Sequence, residues 1–480
     1  MTIKPYPAYQ PSGLPWLGPI PAHWKTQRLR HAVQLLVSNV DKLSIEGEEP
    51  VRLCNYVDAY KHHLIHPNMN FMRATARPDE IRKFRIRVDD VVITKDSEDW
   101  KDIGVPAYVM TEAADLVCGY HLAILRPNQD LISGKYLHWL LQSPSVSIQF
   151  NVNANGVTRY GLSHSSIKDV WLLLPPLPEQ RAIARYLAHH DALTRRYIRA
   201  KQKIVALLNE QKQAIIHRAV MRGLDPNVKL KPSGVEWLGE VPEYWEVTAL
   251  RHRYSTELGK MLDAKRITGD YLVPYLRNID VQWGSINTQN HSVMDIAPHE
   301  YARYTLQDDD LLICEGGEVG RCAIWKGEIP LCGFQKALHR ARPIDSSSDI
   351  PKFLYYVMYA AAKFGVFMAD GSENTIAHLT GVKLRRSRFA FPLKEEQEAI
   401  VVYLDKALAE LESAEKKARL QITLLREYRT RLIADVVTGK VDVRDAAVGL
   451  PEEVEELETE VVEDEPLDES PEMTDEAEPA

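Results

Sequence analysis

The feature that most constrains this chain is that it is written twice. "PSGLPWLGPIPAHW" at Pro11–Trp24 returns as "PSGVEWLGEVPEYW" at Pro232–Trp245, an offset of 221 residues. "DDVVITKDS" from Asp89 is matched by "DDLLICEGG" from Asp309, at an offset of 220. "VCGYHLAILRP" (Val117–Pro127) answers to "LCGFQKALHRARP" (Leu331–Pro343), and "KYLHWLLQS" at Lys135 to "KFLYYVMYA" at Lys352. "EQRAIARYL" at Glu179 and "EQEAIVVYL" at Glu396 close the series, 217 residues apart. The order is unbroken and the offsets drift by a few residues, as insertions in loops produce; this is an internal duplication.

Each copy begins with a Pro/Trp clasp, continues through about 150 residues of mixed character and ends in a long helix. Short β-branched runs such as "DDVVIT" and "DDLLIC", fenced by Asp, Gly and Pro, read as strands. Tyr136–Gln142 and Phe353–Ala361 read as helices among them, so each mixed region is expected to be an α+β domain. Pro175, Pro176 and Pro178 mark the start of the first long helix and Pro392 that of the second. Glu179 and Glu396 fall in the first turns, where a negative charge complements the helix dipole. No proline or glycine interrupts either helix as far as Arg222 and Thr438, and Gly223 and Gly439 follow where a helix end favours glycine.

A heptad register through the second helix reads Leu404, Leu408, Leu411, Glu415, Ala418, Ile422, Leu425, Arg429, Leu432 and Val436. Eight of these ten are apolar, the pattern of a coiled-coil seam. The same positions in the first helix are Leu187, Asp191, Thr194, Ile198, Lys201, Val205, Leu208, Lys212, Ile215 and Ala219, a wetter seam. Two such stripes in one chain, each following an equivalent domain, predict antiparallel packing with pseudo-two-fold symmetry. A helix of this length spans about 65 Å. That makes it a spacer between two heads, the kind of rigid separation by which dimeric DNA readers set half-site spacing. The expected domains are 1–175 (clasp and first head), 176–225 (first spacer helix), 226–392 (clasp and second head), 393–442 (second spacer helix) and an acidic, disordered tail at 443–480.

Charge agrees with an anionic ligand. Residues 451–480 hold 15 Asp/Glu and no Lys or Arg. The remaining body therefore sets 59 basic against 52 acidic residues, a net +7, although the whole chain is −8. The tail composition is that of a solvated, disordered segment. Basic and polar residues cluster in both variable regions. The first has Arg73, Arg77, Arg82 and Lys83, then Asn155, Thr158, Arg159 and Tyr160 in "NANGVTRYGLS"; the second has Arg251, Arg253, Lys265, Arg266 and Arg277, then Asn374 in "DGSENTIAHLT". Lys and Arg neutralise phosphates, and Arg and Asn can contact base edges in pairs of hydrogen bonds.

Catalytic motifs give little. There is no P-loop, no G-x-S-x-G elbow, no H-E-x-x-H and no Asn/Asp-Pro-Pro-aromatic methyltransferase signature. Asp79, Asp99 and Lys101 loosely match a metal-dependent nuclease pattern, but the second copy lacks an acidic-x-lysine there. A nuclease or methyltransferase carrying its own catalytic site is thus the alternative reading. The five cysteines form no C-x-x-C pair and are expected to be free thiols, and no metal site is expected, His62, His63 and His66 included. The N-terminal residues lack a signal-peptide core and no apolar run suits a membrane span, so a cytoplasmic protein is expected.

In the repeated clasps, "LLLPPLPEQRAIARYL", "FAFPLKEEQEAIVVYLD" and "GVTRYGLS", the chain resembles the specificity subunit of a type I restriction-modification system. The resemblance runs in order through about 440 residues. It implies two target recognition domains, each reading one half of a bipartite sequence in double-stranded DNA. It also implies two conserved helices that set the gap and dock two modification subunits, with restriction subunits as further partners. Leu187, Ile198, Leu208, Ile215, Leu404, Leu411, Ile422, Leu425 and Leu432 are then the seam and docking positions. No cofactor is implied for this chain: S-adenosylmethionine belongs to the modification partners, ATP and Mg²⁺ to the restriction partners. "FPLKEEQ" and "GSENTIAHLT" depart from the first copy's "PPLPEQ" and "GVTRYGLS", which bears on register details of the second half.

Overall fold

The structure is a computed structural model that describes residues 4–262, 268–289, 291–368 and 378–451. Of the tail expected at 443–480, residues 452–480 lie outside the described residues. Its first residues are not disordered but packed, Val443 and Ala447 being buried in the core of the first unit with Leu450 against it. The chain divides into two units, Met1–Ala200 with Gln421–Ala480, and Lys201–Leu420. Each holds one head, and each long helix, Leu177–Arg222 and Lys394–Val437, begins in one unit and ends in the other.

The duplication is visible strand by strand. In the first head a five-stranded sheet runs Val33–Val37, Leu122–Pro127, Val91–Thr94, Pro106–Val109, Leu64–Ile65. In the second, Tyr254–Leu258, Leu338–Pro343, Leu311–Cys314 and Cys322–Ile324 follow in the same order. A three-stranded sheet accompanies each: Leu116–Cys118, Glu49–Cys54, Met72–Ala76 in one, and Gly333–Phe334, Leu272–Leu276, Ser292–Asp295 in the other. Strands Val91–Thr94 and Leu311–Cys314 are buried at every residue, which is why both read as unbroken apolar runs.

The paired aspartates that precede those strands have separate tasks. Among the described residues Asp89 and Asp309 are the two non-glycine residues with positive φ, 71° and 66°, a region that Asp tolerates better than most residues. Asp90 and Asp310 are buried and receive a forked arginine from the neighbouring strand. Arg126 Nε and Nη2 donate at 2.8 and 2.7 Å, and Arg342 Nε and Nη2 at 2.6 Å each. The same carboxylates accept the Arg87 and Gln307 amides, so each buried charge is compensated on both sides.

The clasps tie each head to the start of its long helix. Trp24 and Trp245 are fully buried. Trp24 Nε1 donates to Glu179 Oε1 at 2.9 Å, and Trp245 Nε1 to Glu396 Oε2 at 3.1 Å. The residue before each tryptophan joins in, His23 Nε2 lying 2.7 Å from Glu179 Oε2 and Tyr244 Oη donating to Glu396 Oε1 at 3.0 Å. Beside these, Gln180 and Gln397 are wholly buried and bind backbone on both sides. Gln180 accepts from the Ser133 amide and donates to the Leu131 and Pro175 carbonyls; Gln397 accepts from the Ile350 amide and donates to the Ser348 and Pro392 carbonyls. The "EQ" pair therefore does more than complement a dipole: Glu holds the clasp and Gln holds the loop before the helix of the head. By contrast, Trp16 of the first clasp is 51% exposed.

Each core uses the beginning of one long helix and the end of the other. In the first unit Ile183 and Leu187 join Ile433, Val436 and Val437 around Trp24, Tyr136 and Leu140. In the second, Ile400 and Leu404 join Ile216, Ala219 and Val220 around Trp245 and Phe353. Gly439 closes the first of these with φ +75°, and a Cβ there would lie 2.3 Å from Pro21 Cδ, so only glycine fits. Three of the polar seam positions, Asp191, Arg429 and Lys212, are paired from one helix to the other. Asp191, 5% exposed, is held by Arg195 at 2.7 Å and by Arg429, whose Nη2 also donates to Gln142 at 2.9 Å. In the other unit Lys212 meets Glu412 at 2.8 Å.

Two outcomes follow. Glu179→Leu strands the Trp24 indole N–H in a buried site and lowers stability by about 1–3 kcal/mol, read as a lower urea midpoint, whereas Leu393→Ala, at an exposed site, moves it little. At Asp191 burial would raise the carboxyl, but Arg429 and Arg195 outweigh it and hold the group below the usual carboxylate range. A depressed folded pKa gives stability that is present above the unfolded value, near 3.9, and lost as pH falls through the lower folded one. Asp191→Asn therefore costs on the order of 3 kcal/mol at neutral pH and flattens that acid limb in urea titrations at pH 7 and below.

Candidate nucleic-acid interface

The basic residues singled out from the sequence separate into exposed cations and cations committed to the fold. Arg73 projects from strand Met72–Ala76 and is exposed. Arg82 and Lys83 are exposed on the helix Pro78–Phe84, Lys83 Nζ standing 4.8 Å from the Phe84 ring centre. Arg77 precedes that helix and pairs with Glu80 at 2.9 Å. Arg251 is exposed, but Arg253 is anchored by Glu246 at 3.1 Å and Asp349 at 2.9 Å over the Phe391 ring. Arg277 is tied to Asp280, accepting that role from a turn in which Asp280 also takes the Arg277 amide. Sequence alone does not separate these two from free cations, since their acidic partners Asp349 and Asp280 also look like surface residues there. Lys265, Arg266 and Asn374 lie outside the described residues.

The "NANGVTRYGLS" segment is presented as an exposed loop. Asn155 and Gly161 exchange backbone hydrogen bonds at 3.1 and 2.9 Å, closing the loop around Val157, 90% exposed, Thr158 and Arg159. Tyr160–Gly161 then pairs antiparallel with Asp96–Ser97. This places Asn155, Arg159 and Tyr160 beside Lys95, Asp96, Tyr120 and His121. Asp96 Oδ2 takes Lys95 Nζ at 2.6 Å and His121 Nδ1 at 2.8 Å, and Arg159 Nη2 lies 3.3 Å from His121 Nε2. Nearby, Tyr56 and Tyr60 stack with ring centres 5.3 Å apart. Sequence reasoning passed over Lys95, Tyr120 and His121. The signal was there: inside a motif shared by both copies, "GYHLA" stands opposite "GFQKALH", a divergence within a conserved frame.

The nuclease-like residues are occupied elsewhere. Asp79 lies 3.9 Å from Arg77, and Asp99 Oδ1 accepts the Lys101 amide at 2.8 Å within its own turn. Among the described residues no three His, Cys, Asp or Glu side chains are placed to hold a metal. All five cysteines are free and buried. No helix among the described residues is long and apolar enough to cross a membrane.

The seam positions are covered by the chain itself. Leu187, Ile198, Leu404 and Ile422 are buried, and Leu208, Ile215, Leu411, Leu425 and Leu432 partly so. Other apolar side chains on the long helices stay open: Leu193 and Tyr197 on the first and Leu424 and Tyr428 on the second in one unit, and Ile204, Leu207, Val402 and Tyr403 in the other.

Comparison with known proteins bears on both copies. The profile of the family described as "Type I restriction modification DNA specificity domain" matches residues 69–205 and again 245–421. The putative type I restriction enzyme MjaX specificity subunit of Methanocaldococcus jannaschii is 24% identical over 441 residues, covering 89% of this chain and 96% of its own. The type I restriction enzyme EcoBI specificity subunit of Escherichia coli is 23% identical over 311 residues, 62% of this chain and 64% of its own. A chain solved in work on complex assembly and conformational transition of the type I R-M system has the same fold at a TM-score of 0.63 and 17% identity, with 87% of this chain and 98% of that one aligned.

The exposed loop yields a local prediction. Gly156 has φ +155°, and a Cβ there would lie 1.9 Å from the Arg159 carbonyl oxygen, so Gly156→Ala forces the turn open. Amide exchange across residues 153–161 should then speed up while the thermal midpoint shifts by no more than about 2 °C, because the loop opens below the free energy of global unfolding.

Proposed function

The chain belongs to the type I restriction-modification DNA specificity family, and from that premise we propose that it is the non-catalytic, DNA-reading subunit of such a system. Its two heads each read one half of a bipartite, asymmetric target in double-stranded DNA. The observation that carries this reading is a duplicated frame with dissimilar surface loops. The family match falls on both copies, the buried strands and the Asp–Arg and Trp–Glu contacts repeat, and the sequences of the polar segments do not. Two frames of one kind with different loops suit two different half-sites.

The physical division of labour follows. Exposed Arg73, Arg82, Lys83 and Arg251 meet phosphates, a salt-dependent contribution that positions the duplex without reading it. The loop around Asn155, Thr158 and Arg159, with its second-copy counterpart at Asn374, supplies groups able to reach base edges. Lys265 and Arg266 belong to the same set. The long helices act as an antiparallel coiled coil of about 65 Å that sets the spacing between half-sites. The pairing of Asp191 with Arg429 and of Lys212 with Glu412 supports this packing.

Partners carry the chemistry. Two modification subunits bring S-adenosylmethionine, and restriction subunits bring ATP and Mg²⁺. The seam leucines and isoleucines are turned to their own chain. The open side chains Tyr197, Leu207, Leu424 and Tyr428 are therefore the better docking candidates, being large apolar groups left exposed on rigid helices. A cytoplasmic location goes with this role. The first 175 residues and residues 226–392 serve as the heads, 176–225 and 393–442 as the spacers.

The test is to express the chain with a modification subunit and map methylated bases by sequencing. A split motif is expected, and exchanging residues 240–392 for those of a relative should change one half and leave the other. Methylation or cleavage by the chain alone, or an uninterrupted motif unmoved by the exchange, overturns the proposal.

A further inference from the structure

Three chain segments converge beyond the end of strand Val91–Thr94 in the first head. Lys95 and Asp96 continue from that strand, Tyr120 and His121 lie on the turn before Leu122–Pro127, and Arg159 comes from the exposed loop. Backbone bonds lock them together: the Lys95 amide donates to the His121 carbonyl at 3.0 Å and the Leu162 amide to the Lys95 carbonyl at 2.8 Å.

The side chains form an ordered series. Asp96 Oδ2 accepts from Lys95 Nζ at 2.6 Å and from His121 Nδ1 at 2.8 Å. The second bond assigns the ring proton to Nδ1 and leaves Nε2 bare in the neutral imidazole. Arg159 Nη2 is 3.3 Å from Nε2 and 3.4 Å from Nδ1. Distances this nearly equal place the guanidinium against the ring rather than in line with one lone pair. The Tyr120 ring packs on the same imidazole with centres 3.7 Å apart.

A guanidinium is attracted to a neutral aromatic ring and repelled by an imidazolium. The charged and titratable groups facing His121 are Asp96 and Lys95 from the adjoining strand, Arg159 from the loop and Tyr120 on its own turn. Burial lowers the affinity of His121 for a proton more than the Asp96 hydrogen bond raises it, which keeps the ring neutral at neutral pH. Arg159 itself is exposed and, among the described residues, has no carboxylate partner. An arginine so held, with its charge unspent, is the group most suited to a guanine edge.

The second head is built differently at this point. Gly333-Phe334 follow Cys332 as Gly119-Tyr120 follow Cys118, but Gln335 and Lys336 come next. The Gln335 amide donates to the Leu276 carbonyl and the Lys336 amide to the Lys260 carbonyl, both at 3.0 Å.

We propose that Arg159 is a specificity-determining residue of the first head, and that His121, oriented by Asp96, is a positioning residue that makes reading of that one half-site sensitive to pH. This rests on the DNA-reading role argued above. Protonation of His121 drives Arg159 off the ring and withdraws it from its base, while the second half-site is unaffected.

The experiment uses the full chain with its modification subunit. It compares wild type with Arg159→Ala, Arg159→Lys and His121→Gln. Methylation mapping gives the recognised motif, and a duplex carrying that motif is then bound at pH 8 to 5.5. Arg159→Ala should blur one or two positions of one half only and weaken specific binding about ten- to a hundredfold. Arg159→Lys keeps the charge but loses the fork, so it should blur the same positions while holding binding to unrelated duplex near wild type. Wild-type affinity should fall below about pH 6.5, and His121→Gln should flatten that slope. A duplex altered in the affected half should abolish the slope, and one altered in the other half should keep it. A split motif unchanged by both Arg159 variants overturns this inference alone, as does a pH slope that survives His121→Gln. A wild-type complex that marks no split motif overturns it together with the functional reading.

Discussion

The rest of the architecture depends on a tryptophan indole donating to a carboxylate in the first turn of a long helix. Trp24 on Glu179, which is buried, and Trp245 on Glu396, which is partly buried, are charge-assisted bonds, of the kind roughly twice as strong as neutral ones. Each joins the segment that enters a head to the helix that leaves it. The adjoining glutamine does the same for the inside of the head, fastening the loop at Leu131–Ser133 or Ser348–Ile350 to the proline that starts the helix. One dipeptide thereby fixes the helix start against two separate parts of the domain. The aromatic clasp and the Glu-Gln pair have to repeat together because neither is satisfied without the other. A carboxylate placed there without the indole would be buried with too few donors.

That fixed frame lets the loops differ. Each central strand is fully buried and anchored at its start by an aspartate forked to an arginine on its neighbour. Sequence change in the sheet is therefore costly, whereas the connections beyond the strand ends carry no such constraint. The exposed segment around Asn155–Tyr160 is closed by two backbone bonds between Asn155 and Gly161, so its side chains can vary while its ends stay put. A reader built in this way changes its target without rebuilding its core.

Much of this was legible in the residues. Repetition exposes the frame, because residues whose partners recur must recur with them: Asp89-Asp90 with Arg126-Pro127, and the clasp tryptophans with the Glu-Gln pair. The long helices were legible from the absence of proline and glycine and from their heptads. Polar seam positions looked like weaknesses in that pattern. Asp191 and Arg429 turn out to be each other's partners, which periodicity cannot express because it counts polarity along one helix and not across two. Cations were the least legible. Arg253 and Arg251 stand two residues apart in one basic run, yet one is held by Asp349 from a distant turn and the other is exposed. Only tertiary contact distinguishes them.

The same limit explains why His121 was passed over. In the alignment of the two copies it sits inside a shared motif, and shared motifs read as frame. Its neighbours in the series, Asp96 and Arg159, lie 25 and 38 positions away, and no local pattern joins them. What does mark the place is the failure of the copies to agree at one turn, where a single histidine is replaced by Gln335-Lys336-Ala337 between shared Gly-aromatic and leucine positions. In a duplicated protein, positions that serve the common frame are held to one solution in both halves. Positions that face different ligands are released from it. Divergence flanked on both sides by agreement is therefore a better pointer to the reading surface than charge is. Charge is found wherever the chain meets water, whereas divergence inside a shared motif marks positions released from one common solution. Contacts then separate those that face outward from pairs such as His23 and Tyr244, which differ and still hold the equivalent glutamate.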